Sequence, residues 1–233
     1  MTTAFVAGAT GYTGREVVRV ARERGLRVVA HVRPDSPTAA AWGSRFLALG
    51  AEPDSTPWRP EAMAATLSRI RPDVVFALLG TTRARGRTAA SRGAVETYET
   101  VDHGLTRLLL DAAVACGGHP RFVYLSAVGV SPGARNPYLA ARARLEADLR
   151  ASGLPFTVAR PSFITGPDRD EDRPLERVGA SVGDGLAAIL SRVGVRSAER
   201  WRSTRPAVLA GALVRLALDP VAAGAVVESE SLR

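Results

Sequence analysis

The chain contains no lysine at all: every one of the 31 basic residues among its 233 is an arginine. That absence removes a Schiff-base lysine, a phosphate-loop lysine and a lysine general base from the available chemistry. Cysteine is almost missing too, and Cys116 alone cannot close an internal disulfide. Nor does the N-terminus carry the basic region and long apolar run of a secretory signal, so a reducing cytoplasm is the expected location. Apolar runs are short. The longest, Val208 to Leu218, is cut by Arg215 and falls short of the roughly 18 to 20 residues a membrane span needs, so no membrane anchor is expected. His31, His103 and His119 are scattered and give no metal-ligand spacing, so no metal is expected either. A G-x-S-x-G elbow is also missing, which argues against a hydrolase built on Ser126.

What remains is an ordinary globular composition, 46% hydrophobic and 23% charged, with length for one large domain. The net charge of +8 would raise nucleic acid as a partner, but the bias of the whole chain towards arginine and alanine weakens that inference. The one basic cluster, Arg83, Arg85, Arg87 and Arg92, has no interleaved aromatic residues and no recognisable nucleic-acid module around it. Nucleic acid is therefore not expected as a partner. Nothing legible fixes the oligomeric state.

From the N-terminus, short apolar runs alternate with helical periodicity, the pattern of a parallel sheet covered by crossover helices. Strands are predicted at Thr3 to Ala7, Leu26 to Val32, Asp73 to Leu79, Arg121 to Ser126 and Pro155 to Arg160, with a poorly marked one near Gly50 to Trp58. Helices are predicted after Gly14, near Thr38 to Leu49 and Pro60 to Ile70, over Val95 to Cys116, and over Tyr138 to Ser152. The rhythm loosens after Arg160, then resumes with a helix at Pro206 to Leu218 and a strand at Ala225 to Glu228. The fold expected is α/β: a doubly wound parallel sheet, or Rossmann fold, as a single domain over residues 1–233. Residues 161–205 would contribute a small cap on the substrate side.

The first strand runs directly into Gly8-Ala9-Thr10-Gly11-Tyr12-Thr13-Gly14, a G-x-x-G-x-x-G opening an amphipathic helix. Glycines there let the backbone turn tightly and bring a pyrophosphate onto the amides of a helix N-terminus, where the dipole favours negative charge. A glycine trio can also be a plain strand-to-helix corner, but strand, loop and helix follow here in the order of a dinucleotide site. Arg33 comes immediately after the second strand, where an arginine accommodates the 2′-phosphate of NADP, whereas Asp35 falls in a Pro-flanked turn. NADP is thus favoured over NAD as cofactor.

Asn136-Pro137-Tyr138 supplies an N-cap and a first-position proline, and Tyr138 and Arg142 follow at i and i+4 on one helical face. Ser126 ends the preceding strand, so these three side chains are expected near the strand ends, where doubly wound proteins bind ligands.

Together with the glycine loop, the segments Leu79-Gly80-Thr81-Thr82-Arg83, Val101-Asp102, Leu125-Ser126, Tyr138 to Glu146, Arg160-Pro161 and Asp168 to Pro174 resemble a known family. It is the atypical short-chain dehydrogenase/reductases of the Tat-interacting-protein oxidoreductase type. The resemblance implies that Thr10, Gly11, Tyr12 and Thr13 hold the pyrophosphate and Arg33 the 2′-phosphate. Leu79, Gly80 and Thr81 would border the adenine-ribose side, with Ile164 and Arg173 at the nicotinamide end. Tyr138 would be the proton donor or acceptor. Arg142 departs from the family, which has lysine there. A guanidinium can lower a tyrosine pKa and donate to ribose hydroxyls, yet it cannot release a proton, and its planar fork is larger.

Two functions of different class follow. One is an NADP-dependent oxidoreductase acting on a small carbonyl or alcohol, with Ser126 donating to the substrate oxygen and Arg142 orienting the ribose. The other is a non-catalytic NADP-binding, redox-sensing module on the same fold. An isomerase using bound cofactor is a third. The substrate itself is not legible.

Overall fold

The computed structural model describes residues 1–81, 86, 93, 95–165 and 203–233. In chain order the described elements are β1 Thr3–Ala7, α1 Tyr12–Glu23, β2 Arg27–His31, α2 Ala39–Ala48, β3 Glu52–Asp54, α3 Pro60–Ile70 and β4 Val74–Ala77. A π-helical segment Tyr98–Leu105 leads into α4 Thr106–Ala115, and β5 Arg121–Leu125, α5 Pro137–Ala151, β6 Phe156–Arg160, α6 Pro206–Leu218 and β7 Ala225–Glu228 complete the set. The strands form one parallel sheet in the order β3-β2-β1-β4-β5-β6-β7. The chain therefore winds outward on one side of β1 and then returns to the other side, leaving a switch point between β1 and β4. This is the Rossmann-like α/β fold.

Both faces of the sheet are covered, which is why the central strands read as continuous apolar runs. Successive residues of a strand serve opposite faces. Val6, Val28, Phe76 and Val123 meet Val17 and Val18 of α1 and Leu209 and Leu213 of α6 on one side. On the other, Phe5, Val75, Phe122 and Tyr124 meet Met63 and Leu67 of α3, Leu109 and Leu110 of α4, and Leu145 and Leu149 of α5. β3 is weak in sequence because Pro53 occupies its centre, a residue that a sheet tolerates at its edge.

One element differs from expectation. The predicted continuous helix over Val95 to Cys116 begins instead at Tyr98 and runs as a π-helix to Leu105 before tightening into α4. A reciprocal cap between Thr97 and Thr100 fixes its start. Within it Asp102 is fully buried, bonded to the backbone just beyond β4 and to α5. Among the described residues no helix is long and apolar enough to cross a membrane.

His31 closes β2 in the core, wedged edge-on against Trp58 at 4.7 Å, with its Nε2–H donating to the Thr56 carbonyl at 2.8 Å. Burial lowers its pKa below the ordinary 6.5, outweighing the Thr56 bond and Asp54. The folded chain thus resists protonation that the unfolded chain accepts. Stability is complete above pH 6.5 and falls as the pH drops below it, with a slope of at most about 1.4 kcal/mol per pH unit from this group. His31→Gln should remove that part of the slope, as read from urea unfolding of both proteins at pH values stepped downward from 7.5.

Candidate functional site

The site lies along the C-terminal ends of β1, β4 and β5, which are neighbours in the sheet. At β1 the loop turns at Gly8, with φ +81, and a Cβ there would stand 2.6 Å from the Leu78 carbonyl. Gly14 is as constrained: a Cβ would lie 2.0 Å from the Gly8 oxygen, so helix α1 could not approach the loop with any other residue. Gly11 is the N-cap of α1 and supplies no side-chain cap, and no acid lies in the first turn. A helix end built this way suits an anionic ligand. Thr13 is buried, Thr10 and Tyr12 are half-buried, and the Arg15 guanidinium lies 5.1 Å from the Tyr12 ring centre. These residues fit a dinucleotide pyrophosphate.

The chain past β4 joins this loop to the tyrosine helix. Leu79 packs against the core, Gly80 is exposed, and Thr81 is buried with its amide donating to Asp102 Oδ2 at 2.9 Å. A Cβ on Gly80 would stand 3.3 Å from Arg142 Nη2 and 3.4 Å from Asp102 Oδ1, so the backbone passes directly over that pair. Among the described residues the buried Thr81 hydroxyl has no partner. Buried hydroxyls are seldom left so, and this one lies where a ligand would border β4.

Arg142 is the hub. Its Nη2 donates to Asp102 Oδ1 at 2.8 Å, and its Nη1 to the Leu125 carbonyl at 2.5 Å and the Tyr124 hydroxyl at 3.3 Å. Its Cζ sits 4.5 Å from the Tyr138 ring centre, and its buried Nε has no partner among the described residues. Burial opposes the charge, but Tyr138, Tyr124 and Asp102 outweigh it and hold the guanidinium protonated more firmly than usual. Burial pushes the Asp102 carboxyl up, against the pull of Arg142 and the Thr81 amide. Since both of its oxygens accept from obligate donors, the carboxylate is the form that satisfies the pair. The Tyr124 phenol is raised by burial and stays neutral. Tyr98 meets Tyr138 edge-on at 5.3 Å.

The sequence-predicted trio is only partly brought together. Tyr138 and Arg142 are in contact on α5, whose N-terminus Asn136 caps by accepting from the Tyr138 amide at 2.9 Å. Ser126, in contrast, is buried and donates its hydroxyl proton to Glu146 Oε1 at 2.7 Å rather than presenting it to the cleft. Glu146 also accepts from Arg160 at 2.7 and 3.0 Å and from Arg150 at 3.1 Å. Burial alone would raise its pKa, yet Arg160 and Ser126 outweigh that and keep it below the ordinary value. Arg142 likewise gives its fork to protein atoms and not to an open ribose position. Ile164, half-buried, forms a parallel bridge to Thr204 ahead of α6.

Arg33 extends from the end of β2, 37% exposed, and donates to Glu96 Oε1 at 2.7 Å. The expected cap over 161–205 lies mostly outside the described residues, and Arg173 and the cluster Arg83, Arg85, Arg87 and Arg92 lie wholly outside them. Sequence reasoning gave no role to Glu96, Tyr98, Tyr124 or Glu146, nor to Asp102 as counter-ion. For Glu146 a signal existed, since it follows Arg142 by four residues on the same helical strip.

A family model described as NAD(P)H-binding matches residues 8–189. Protein FMP52, mitochondrial, of Eremothecium gossypii is 34% identical over 166 residues, covering 70% of this chain and 66% of its own. Protein fmp52-1, mitochondrial, of Aspergillus terreus is 28% identical over 178 residues, 76% of this chain and 72% of its own. Among solved structures, the UDP-Glc/GlcNAc 4-epimerase of Campylobacter jejuni superposes with a TM-score of 0.69 at 12% identity, covering 97% of this chain and 77% of that one. Bordetella bronchiseptica WbmH, solved with NAD+, gives 0.64 at 18% identity, covering 98% and 76%. These structures share the fold.

The relatives' names correct one expectation. Proteins 25–34% identical across most of the chain are named mitochondrial, which conflicts with a cytoplasmic location. An unpaired cysteine speaks against an oxidising compartment but does not distinguish among reducing ones. With strand, glycine loop and helix folded in the order of a dinucleotide site, and the family model spanning most of the sequence, the chain belongs to the NAD(P)H-binding family.

Proposed function

We propose that the chain is an NADP-dependent oxidoreductase moving a hydride between the nicotinamide and a small carbonyl or alcohol substrate. The observation that carries this reading is an unbroken chain of contacts along the strand ends: Gly8 abuts Leu78, and Gly80 passes over Arg142, which stacks on Tyr138. A ligand lying along that line reaches from the glycine loop to a phenol. Bound NADPH would supply the hydride to a carbonyl, and bound NADP+ would accept it from an alcohol. Tyr138 would exchange the proton with the substrate oxygen, with the Arg142 guanidinium packed on its ring holding it in place. Thr10 to Thr13 would hold the pyrophosphate, and Arg33 the 2′-phosphate.

The engagement of Arg142 and Ser126 favours a second reading, a non-catalytic NADP-binding, redox-sensing module. A lysine can pass a proton on, whereas Arg142 keeps its own and gives its fork to Asp102, Leu125 and Tyr124.

Calorimetric titration should show NADPH binding at least tenfold tighter than NADH, about 1.4 kcal/mol, and Arg33→Gln should erase most of that margin. Binding of neither nucleotide would refute both readings. Tyr138→Phe should lower turnover of a panel of small aldehydes and ketones by about 100-fold or more while NADPH affinity stays within about twofold, followed as loss of NADPH absorbance. No turnover by the unmodified protein across the panel, with tight NADPH binding, would favour the sensor. Asp102→Asn should cost about 3–5 kcal/mol in urea unfolding, because it leaves a buried guanidinium without its counter-charge. A loss under about 1 kcal/mol would mean that the pair does not tie the structure together.

A further inference from the structure

We propose that Glu96 sets the cofactor preference: its carboxylate lies on Arg33 where a 2′-phosphate would bind, and so weakens NADP binding selectively. This rests on the reading of Arg33 given above. The Val32 amide still bonds to the Asp54 carbonyl at 2.8 Å, so the chain is anchored in the sheet up to Arg33. Two acids attend the guanidinium. Asp35 is two residues away, 75% exposed, with its carboxylate 3.7 Å from Nε. Glu96 comes from a segment 63 positions later, is only 16% exposed, and accepts from Nη1 at 2.7 Å.

Glu96 is also held in place. The next residue, Thr97, caps the π-helix: its amide donates to Thr100 Oγ1 at 2.9 Å, and the Thr100 amide donates back to Thr97 Oγ1 at 3.1 Å. Glu96 is thus presented by a fixed helix start rather than by a free loop end. A guanidinium fork suits carboxylate and phosphate alike, so the two anions compete for one donor set. A phosphate bound there also carries about −1.5 to −2 charge, and Glu96 repels it across the shared arginine. NAD has hydroxyls at that position and meets neither penalty. Arg33 therefore confers the preference for NADP, and Glu96 limits it. The acid most visible in sequence, Asp35, has the longer and wetter contact and the smaller part in this.

The test is a double-mutant cycle of Glu96→Gln and Arg33→Gln, with NADPH and NADH affinities measured by calorimetry and each variant's folding checked by thermal unfolding. Glu96→Gln should tighten NADPH about threefold or more while leaving NADH within about 1.5-fold, and the gain should vanish in the Arg33→Gln background. Glu96→Ala should behave alike, which separates charge from side-chain volume. If Glu96→Gln leaves the NADPH to NADH ratio unchanged while Arg33→Gln still lowers it, the role of Glu96 is overturned and the reading of Arg33 stands. If Arg33→Gln itself leaves the ratio unchanged, that reading falls, and the inference falls with it.

Discussion

A buried carboxylate bonded to a buried guanidinium, Asp102 to Arg142, ties together the C-terminal ends of β4 and β5. Taking two such charges out of water costs several kcal/mol for each ion, and a single contact between them does not offset that. The remaining hydrogen bonds make the arrangement workable. Asp102 receives the Thr81 amide just past β4, and Arg142 donates to the last carbonyl of β5 and to the Tyr124 hydroxyl within it. The pair thereby joins two strand ends, the π-helix and α5. The wide turn of the π-helix is the local feature that accompanies a charged side chain in this position, and such turns recur where a helix serves a site.

Helix α5 carries a second polar assembly one turn further on. Tyr138, Arg142 and Glu146 fall at successive intervals of four, so a single helical strip presents a phenol, a cation and an anion in order. Glu146 gathers Ser126, Arg150 and Arg160, and Arg160 bonds on to Glu228 at the end of β7 at 3.0 Å. Cation and anion are thus each neutralised by partners from other elements before any ligand arrives. A half-satisfied buried network would be worse than an apolar core, whereas one with its charges paired fixes the geometry of the strand ends. Tyr138, half-buried at the helix start, is the member of the strip that stays partly open to solvent.

Much of the fold was legible because its elements agree with their local signals. Pro60 and Pro206 open helices at the first position, and the apolar runs of β1 and β4 are buried on both faces. The glycine loop was legible for the same reason, since Gly8 and Gly14 answer constraints a few residues away. What was hidden is long-range pairing. Nothing in the neighbourhood of Ser126 shows that its hydroxyl meets Glu146, 20 positions on, and nothing near Arg33 shows Glu96. Periodicity failed over Tyr98–Leu105 because a π-turn and an α-turn share similar apolar spacing over so short a run, and the difference is imposed by the partners of Asp102.

The lack of lysine gives these pairings a common logic. A lysine ammonium is a mobile point charge that can approach a ligand from many directions and can give up its proton. An arginine brings a planar fork that must be oriented to be useful, and a charge that persists at any physiological pH. A site built only with arginine therefore needs acids to aim the forks and offset the charge. Arg33 with Glu96, Arg142 with Asp102 and Arg160 with Glu146 all follow that rule, one at each successive stretch of the strand ends. In such a site selectivity depends less on how many cations are present than on which of them an incoming anion can draw away from its acid. Arg142 and Arg160 are held by acids that are almost wholly buried, whereas Arg33 is partly open to solvent. Of these three, Arg33 is the arginine a phosphate can reach.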